Sequence, residues 1–173
     1  TKDIALWVVH LIQDAGREMF IWVNTICTPL ITWWVTNMYS IEGRHANPEI
    51  VEEYVARLMG ALKIHRFTSR MVTIKFKSEL ENYAQGLCEG DKDYATIQIG
   101  KFDKTFLQQM QTLAHEMVHA RQFLRGQLTA EGVWKWKGRN ADNYAYTNQP
   151  WEKEAYRLER ELFLDCFPFD KMV

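Results

Sequence analysis

The chain has 173 residues, 47% of them hydrophobic and 13% aromatic, which is enough for one domain with a substantial core and too little for two large ones. Its 21 basic residues against 22 acidic ones give a formal net charge of -1, and no Lys/Arg run marks a strip for phosphates, so nucleic acid is not an expected partner. Three cysteines, Cys27, Cys88 and Cys166, are odd in number, widely spaced and without a CxxC pair; they argue against a disulfide framework or a cysteine zinc knuckle and for a reducing, cytoplasmic setting.

Residues 2 to 19 carry Ile4, Trp7, Val8, Leu11, Ile12, Ala15 and Met19 at helical spacing, the pattern of an amphipathic helix. Residues 19 to 41, MFIWVNTICTPLITWWVTNMYSI, hold no charged side chain over a length that would span about 30 Å of hydrocarbon. Asn24, Thr25, Thr28, Thr32, Thr36, Asn37 and Pro29 dilute that stretch, so the expectation is a segment covering the domain or a protein partner, with a membrane or virion-type anchor as the alternative. No basic region precedes a short apolar core, so a cleaved signal peptide is not expected. Residues 1–44 are thus set apart from a domain spanning 45–173.

NPEIVEEYVARLMGALKI (47 to 64) reads as a helix capped by Asn47, with Pro48 in its first turn and Ile50, Val51, Tyr54, Val55, Leu58, Met59 and Leu62 at helical spacing. MVTIKFK (71 to 77) and YATIQIG (94 to 100) alternate apolar and polar residues as half-buried strands do, and the Gly and Asp residues of QGLCEGDKD between them mark turns. A helix follows over about 104 to 124, closed near Gly126; VWKWKGR (133 to 139) suggests a short hairpin, and Pro150 opens a last helix to about Cys166. The order helix, strands, helix, loop, helix implies an α+β domain.

The chemistry is concentrated in LAHEMVHARQF (113 to 123). On the 104 to 124 helix Phe106, Met110, Leu113, Met117 and Leu124 form one stripe, and His115 and His119 project from the opposite side, one turn apart. Two imidazole nitrogens so placed can meet at a point about 2.0–2.1 Å from each, which suits zinc, while Glu116 stands about 100° round the helix, near the metal but turned to the water beside it. H-E-x-x-H on a helix is a metalloprotease signature. The blander possibility is a polar helix face that happens to carry two histidines; a shuffled chain of this composition yields the motif roughly once in a hundred tries.

A catalytic zinc keeps three protein ligands and one open position. His10, His45 and His65 all lie upstream, and the x-x-G-x-x-H continuation of the metzincins does not follow His119, so the third ligand is expected to be a carboxylate. QPWEKEAYRLERELF (149 to 163) offers Glu152, Glu154 and Glu159 on a helix whose core stripe is Trp151, Ala155, Leu158 and Leu162. An acid-rich first turn also complements a helix dipole, which accounts for glutamates there without any metal.

HEMVH together with PWEKEAY resembles the gluzincin metallopeptidases, especially the very small minigluzincins and the SprT-like and phage-encoded peptidases. The likeness covers residues 71 to 163 loosely and the two short motifs specifically. It implies a small zincin-like domain: a short antiparallel or mixed sheet packed on the H-E-x-x-H helix, and a C-terminal helix bearing the third ligand. The family's second motif resembles E-x-x-[AS]-[DN], which puts Ala155 at the small position and makes Glu152 the ligand, with Glu154 the runner-up. Tyr156 stands where that motif has an acid or amide supporting a ligand histidine, a departure in the surroundings of the site.

The resemblance implies Zn2+ as cofactor, a protein or peptide as substrate, and hydrolysis in which zinc lowers the pKa of its water and Glu116 takes the proton and passes it to the leaving amine. An extended substrate would lie on an edge strand, for which YATIQIG is the expected choice. Tyr144 and Tyr146 are proposed donors to the developing oxyanion. Two rival readings are a deformylase-like amidohydrolase that takes Cys88 as a ligand, and a non-catalytic binding module that keeps the fold, against which the intact Glu116 argues.

Overall fold

A computed structural model describes residues 38–66, 69–130, 132–145 and 148–172. The expected helix over 2 to 19 and most of the uncharged stretch 19 to 41 lie outside these residues. Among the described residues, no helix is long and apolar enough to cross a membrane.

Among the described residues seven strands and three α-helices follow in the order β1 (Tyr39–Glu42), α1 (Pro48–Ala61), β2 (Met71–Lys77), β3 (Gly86–Gly90), β4 (Tyr94–Gly100), α2 (Phe106–Leu124), β5 (Leu128–Thr129), β6 (Lys135–Trp136), β7 (Arg139–Asn140) and α3 (Pro150–Cys166). The architecture is α+β with a mixed main sheet in the order β1-β2-β4-β3. β1, β2 and β4 run parallel and β3 is antiparallel to β4. The alternation read from the sequence sets the two faces: Val72, Ile74 and Phe76 of β2 and Ala95, Ile97 and Ile99 of β4 are buried at adjoining register positions. Each of the Val, Ile and Phe side chains contributes on the order of 1.5–3 kcal/mol by leaving water. Against this sheet α2 packs on β3 and β4, and it touches α3 and α1 elsewhere.

Four expectations need correction. The compact unit begins upstream of residue 45, because Tyr39–Glu42 pair with Val72–Lys75 as an edge strand. QGLCEGDKD is more than a turn: Gly86–Gly90 form β3, whose two glycines hide its strand character from a pattern search. Both are required by close approach. A Cβ on Gly90 would lie 2.4 Å from the Tyr94 carbonyl oxygen, and one on Gly86 would lie 2.5 Å from Glu116 Oε1. It follows that YATIQIG is β4, an interior strand, and that the edge beside α2 is β3. Last, Asn47 stands at the cap position of α1 in the left-handed region (φ 49°, ψ 63°) and makes no side-chain cap bond.

α2 starts sharply because Thr105 and Gln108 form a reciprocal capping box. It ends with Gly126 at φ 63°, where Gly126 N–H donates to Phe123 O and Gln127 N–H to Gln122 O, the paired bonds of a Schellman stop. β6 and β7 form the expected hairpin through Lys137 and Gly138, both at positive φ.

Candidate metal centre

α2 is covered on more than one side. Met110, Leu113, Met117 and Leu124 are buried as the stripe requires, but His119 and Gln122 are buried too, because α3 lies over the face that carries the histidines, and Glu116 is buried against Gly86 of β3. Ala155, fully buried on α3, has only a methyl group to accommodate, which suits the close contact of the two helices. One turn before it, Glu152 meets the histidines: its Oε1 is 3.3 Å from His119 Nε2 and its Oε2 3.4 Å from His115 Nε2. The two Nε2 atoms are 3.1 Å apart. His115, His119 and Glu152 are the group of side chains, among the described residues, placed to hold one metal ion.

The tautomers follow from the neighbours. Gln122 uses its amide hydrogens on the Trp151 carbonyl oxygen (3.1 Å) and Glu154 Oε2 (2.8 Å), so its Oε1, 2.9 Å from His119 Nδ1, accepts, and Nδ1–H must donate. At His115 the partner of Nδ1 is Glu159 Oε2 at 2.8 Å; an ionised carboxylate only accepts, so again Nδ1 carries the proton. In the neutral imidazoles both Nε2 atoms then present lone pairs to each other and to a carboxylate. That convergence is repulsive unless a cation, or a proton shared between them, sits among the three groups.

The residues fit zinc on two further observations. Glu152 Oε2 is buried and has no hydrogen-bond partner, which is costly for a carboxylate oxygen that holds no cation. Tetrahedral ligands about 2.0–2.1 Å from zinc stand about 3.3 Å from one another; here the two Nε2 atoms are 3.1 Å apart and each is 3.3 or 3.4 Å from its own oxygen of the Glu152 carboxylate, with one ligand atom per residue lying within 4.8 Å of the others. Two imidazoles and one carboxylate are also the donor set of a catalytic rather than a closed structural zinc site.

The electrostatics favour positive charge at the same point. Burial pulls the His115 imidazole down, but Glu152, Glu116 and Glu159 around it outweigh that and raise it above its ordinary value. Burial would push the Glu152 carboxyl up; the adjoining imidazoles of His115 and His119 bring it down to about 2. Glu116 makes no contact of that kind. Burial raises its carboxyl above the usual range, in part offset by His119 and His115, so it is poised to take up a proton.

Other residues of interest fall as follows. Glu154, the second choice for the third ligand, turns away from the cluster to Gln122 and to Arg121 Nη2 at 3.1 Å. Glu159 holds His115 and accepts from Gln111 Nε2 at 3.2 Å. Tyr156 lays its ring 4.7 Å from that of His115 and remains exposed. Cys88 lines the same cavity as the cluster but is not one of its three groups, and burial, with Glu116 and Glu89 adding to it, pushes its thiol well up. Tyr144 packs edge-on against Trp151 with centroids 6.3 Å apart and does not line that cavity; Tyr146 lies outside the described residues.

The sequence reading missed Gln122 and gave Glu159 only a distant place as a ligand. Gln122 is three residues beyond His119 and so on the same helix face, a signal that was available. Gly86 carried no such signal, since what it leaves room for is Glu116, thirty residues away. Comparison of the chain with protein-family models, curated proteins and solved structures gave no match.

Proposed function

We propose that the chain is a zinc-dependent metallopeptidase of gluzincin type. The observation that carries the reading is the pair of imidazoles whose Nδ1 protons are committed to Glu159 and Gln122, so that both Nε2 lone pairs meet the Glu152 carboxylate, whose buried Oε2 has no hydrogen-bond partner. In this reading His115, His119 and Glu152 hold the metal, which supplies Lewis acidity and a water of lowered pKa. Glu116, buried beside them with its carboxyl raised, takes the proton of the attacking water and gives it to the departing amine nitrogen. Gly86 gives Glu116 the space to stand there. Tyr156, exposed against His115, borders the substrate side of the cluster.

The test is hydrolysis of casein or of a peptide mixture by the zinc-loaded chain. Cleavage should stop with a chelator and return with zinc. Glu116→Gln should retain the metal and lose on the order of 10² to 10⁴ in turnover; equal loss of metal would make Glu116 a ligand and undo the assignment of roles. Gly86→Ala, which crowds Oε1 and Cγ of Glu116, should keep zinc and lower kcat by about 10- to 100-fold through misplacement of the base. A zinc-loaded chain that cleaves nothing would favour a binding module instead.

A further inference from the structure

Three cavities open along β3. One of about 560 Å3 lies beside Gln85 and Gly86, one of about 430 Å3 beside Gly86, Leu87 and Cys88, and one of about 740 Å3 beside residues 87–94. The first two share Gly86, His115 and Glu116, and the last two share Leu87, Cys88, Phe123 and Trp134, so they form one trench following the strand. Among the described residues β3 has a sheet neighbour on one side only, which leaves its other edge to pair with an added strand.

The trench changes character at Glu116. On one side it runs onto an apolar bay made by Phe123, Leu128, Ala141 and Trp151, which pack as a small buried cluster. Trp134, 43% exposed, stacks on Trp151 with centroids 5.8 Å apart and planes 9° from parallel, and gives the bay an open aromatic wall. On the other side Gln108, Gln111, Thr112 and Lys104 line a polar bay with Glu116 and Glu159; both oxygens of Glu159 are taken by Gln111 and His115, whereas the Lys104 ammonium has no ion-pair or hydrogen-bond partner among the described residues.

On a strand paired with β3, the edge-strand arrangement that the gluzincin resemblance already implies, we propose that these two bays read the substrate's side chains on both sides of the cleaved bond. A bulky apolar side chain fills the Trp134–Trp151 bay, and a polar or acidic one lies toward Lys104. The peptidase reading of the cluster is the basis of the cleavage part of this proposal; the binding part depends only on the trench. Filling an apolar bay distinguishes substrates by about 10- to 200-fold, and a single exposed lysine by less, since its charge is screened by water and salt.

Two measurements test it. In the first, zinc-loaded protein digests a peptide library and the products are identified by mass spectrometry. The cut sites should be enriched in Phe, Leu, Met or Trp on one side and in acidic over basic residues on the other. Trp134→Ala should cut the apolar preference by about tenfold, and Lys104→Glu should turn the acidic preference into a basic one. In the second, metal-free protein binds labelled peptides that differ only by Phe or Ala, followed by fluorescence anisotropy. The Phe peptide should bind about tenfold more tightly, and Trp134→Ala, a change at an exposed side chain, should abolish the difference. Cleavage without side-chain preference, or preferences indifferent to both substitutions, would overturn the proposal. So would equal binding of the two peptides. Discrimination in the binding arm with no cleavage in the first would leave the trench assignment standing and remove the peptidase reading.

Discussion

Glu152 and Glu154 enter α3 two residues apart and meet α2 on two different flanks of Ala155. An ideal helix turns about 200° over two residues, so the two carboxylates cannot share a target. Glu152 faces His115 and His119 and keeps one buried oxygen without a hydrogen bond. Glu154 is fully engaged by Gln122 and Arg121, which place it one step behind His119. On the proposed reading the difference separates the metal site from its support: the group left unsatisfied is the one that would face the ion, and the satisfied one would fix the orientation of a ligand.

The two histidines repeat the contrast on a smaller scale. His115 is oriented by a full carboxylate, Glu159, reaching across from α3. His119 is oriented by a neutral amide of its own helix, Gln122, which α3 holds through Glu154 and the Trp151 carbonyl oxygen.

Substitutions should break this comparison in a definite order. Glu152→Gln removes one of three ligands and should weaken zinc binding more than about 100-fold, measured by competition with a chelating dye; this is a larger loss than supporting residues give. Gln122→Ala frees the His119 ring and strands Glu154 opposite Arg121 alone, and should cost about 10- to 100-fold in the same titration. Glu159→Gln leaves His115 with an amide acceptor like the one His119 already has, so its cost should sit near the lower end, about tenfold. Glu154→Gln keeps an acceptor for Gln122 and should cost least, about tenfold or below. An inverted order for the two α3 glutamates would make Glu154 the ligand and shift the helix assignment by two residues.

How much of this was legible beforehand depended on the range of the interaction. The choice of Glu152 over Glu154 rests on the resemblance to the gluzincins' second motif together with the stripe of α3; the histidine pair and the base beside it rest on helix periodicity, which is local. α3 was delimited for the same reason, by Pro150 and by the stripe of Trp151, Ala155 and Leu162. β3 was not, because Gly86 and Gly90 answer to Glu116 and to the Tyr94–Ala95 backbone, and those constraints arise only once the sheet and α2 are assembled. The same holds for β1: Tyr39–Glu42 end an uncharged stretch with no alternation to separate them from it, and only the pairing with β2 makes them a strand.

The most direct test of the central claim is zinc titration of the metal-free chain, with stoichiometry read by native mass spectrometry for the wild type and for His119→Ala. The account predicts one tightly held zinc per wild-type chain and loss of that binding in the variant, because two remaining ligands do not hold the ion firmly. A wild-type chain that takes up no stoichiometric zinc, or a His119→Ala chain that binds it as well as the wild type, would contradict it.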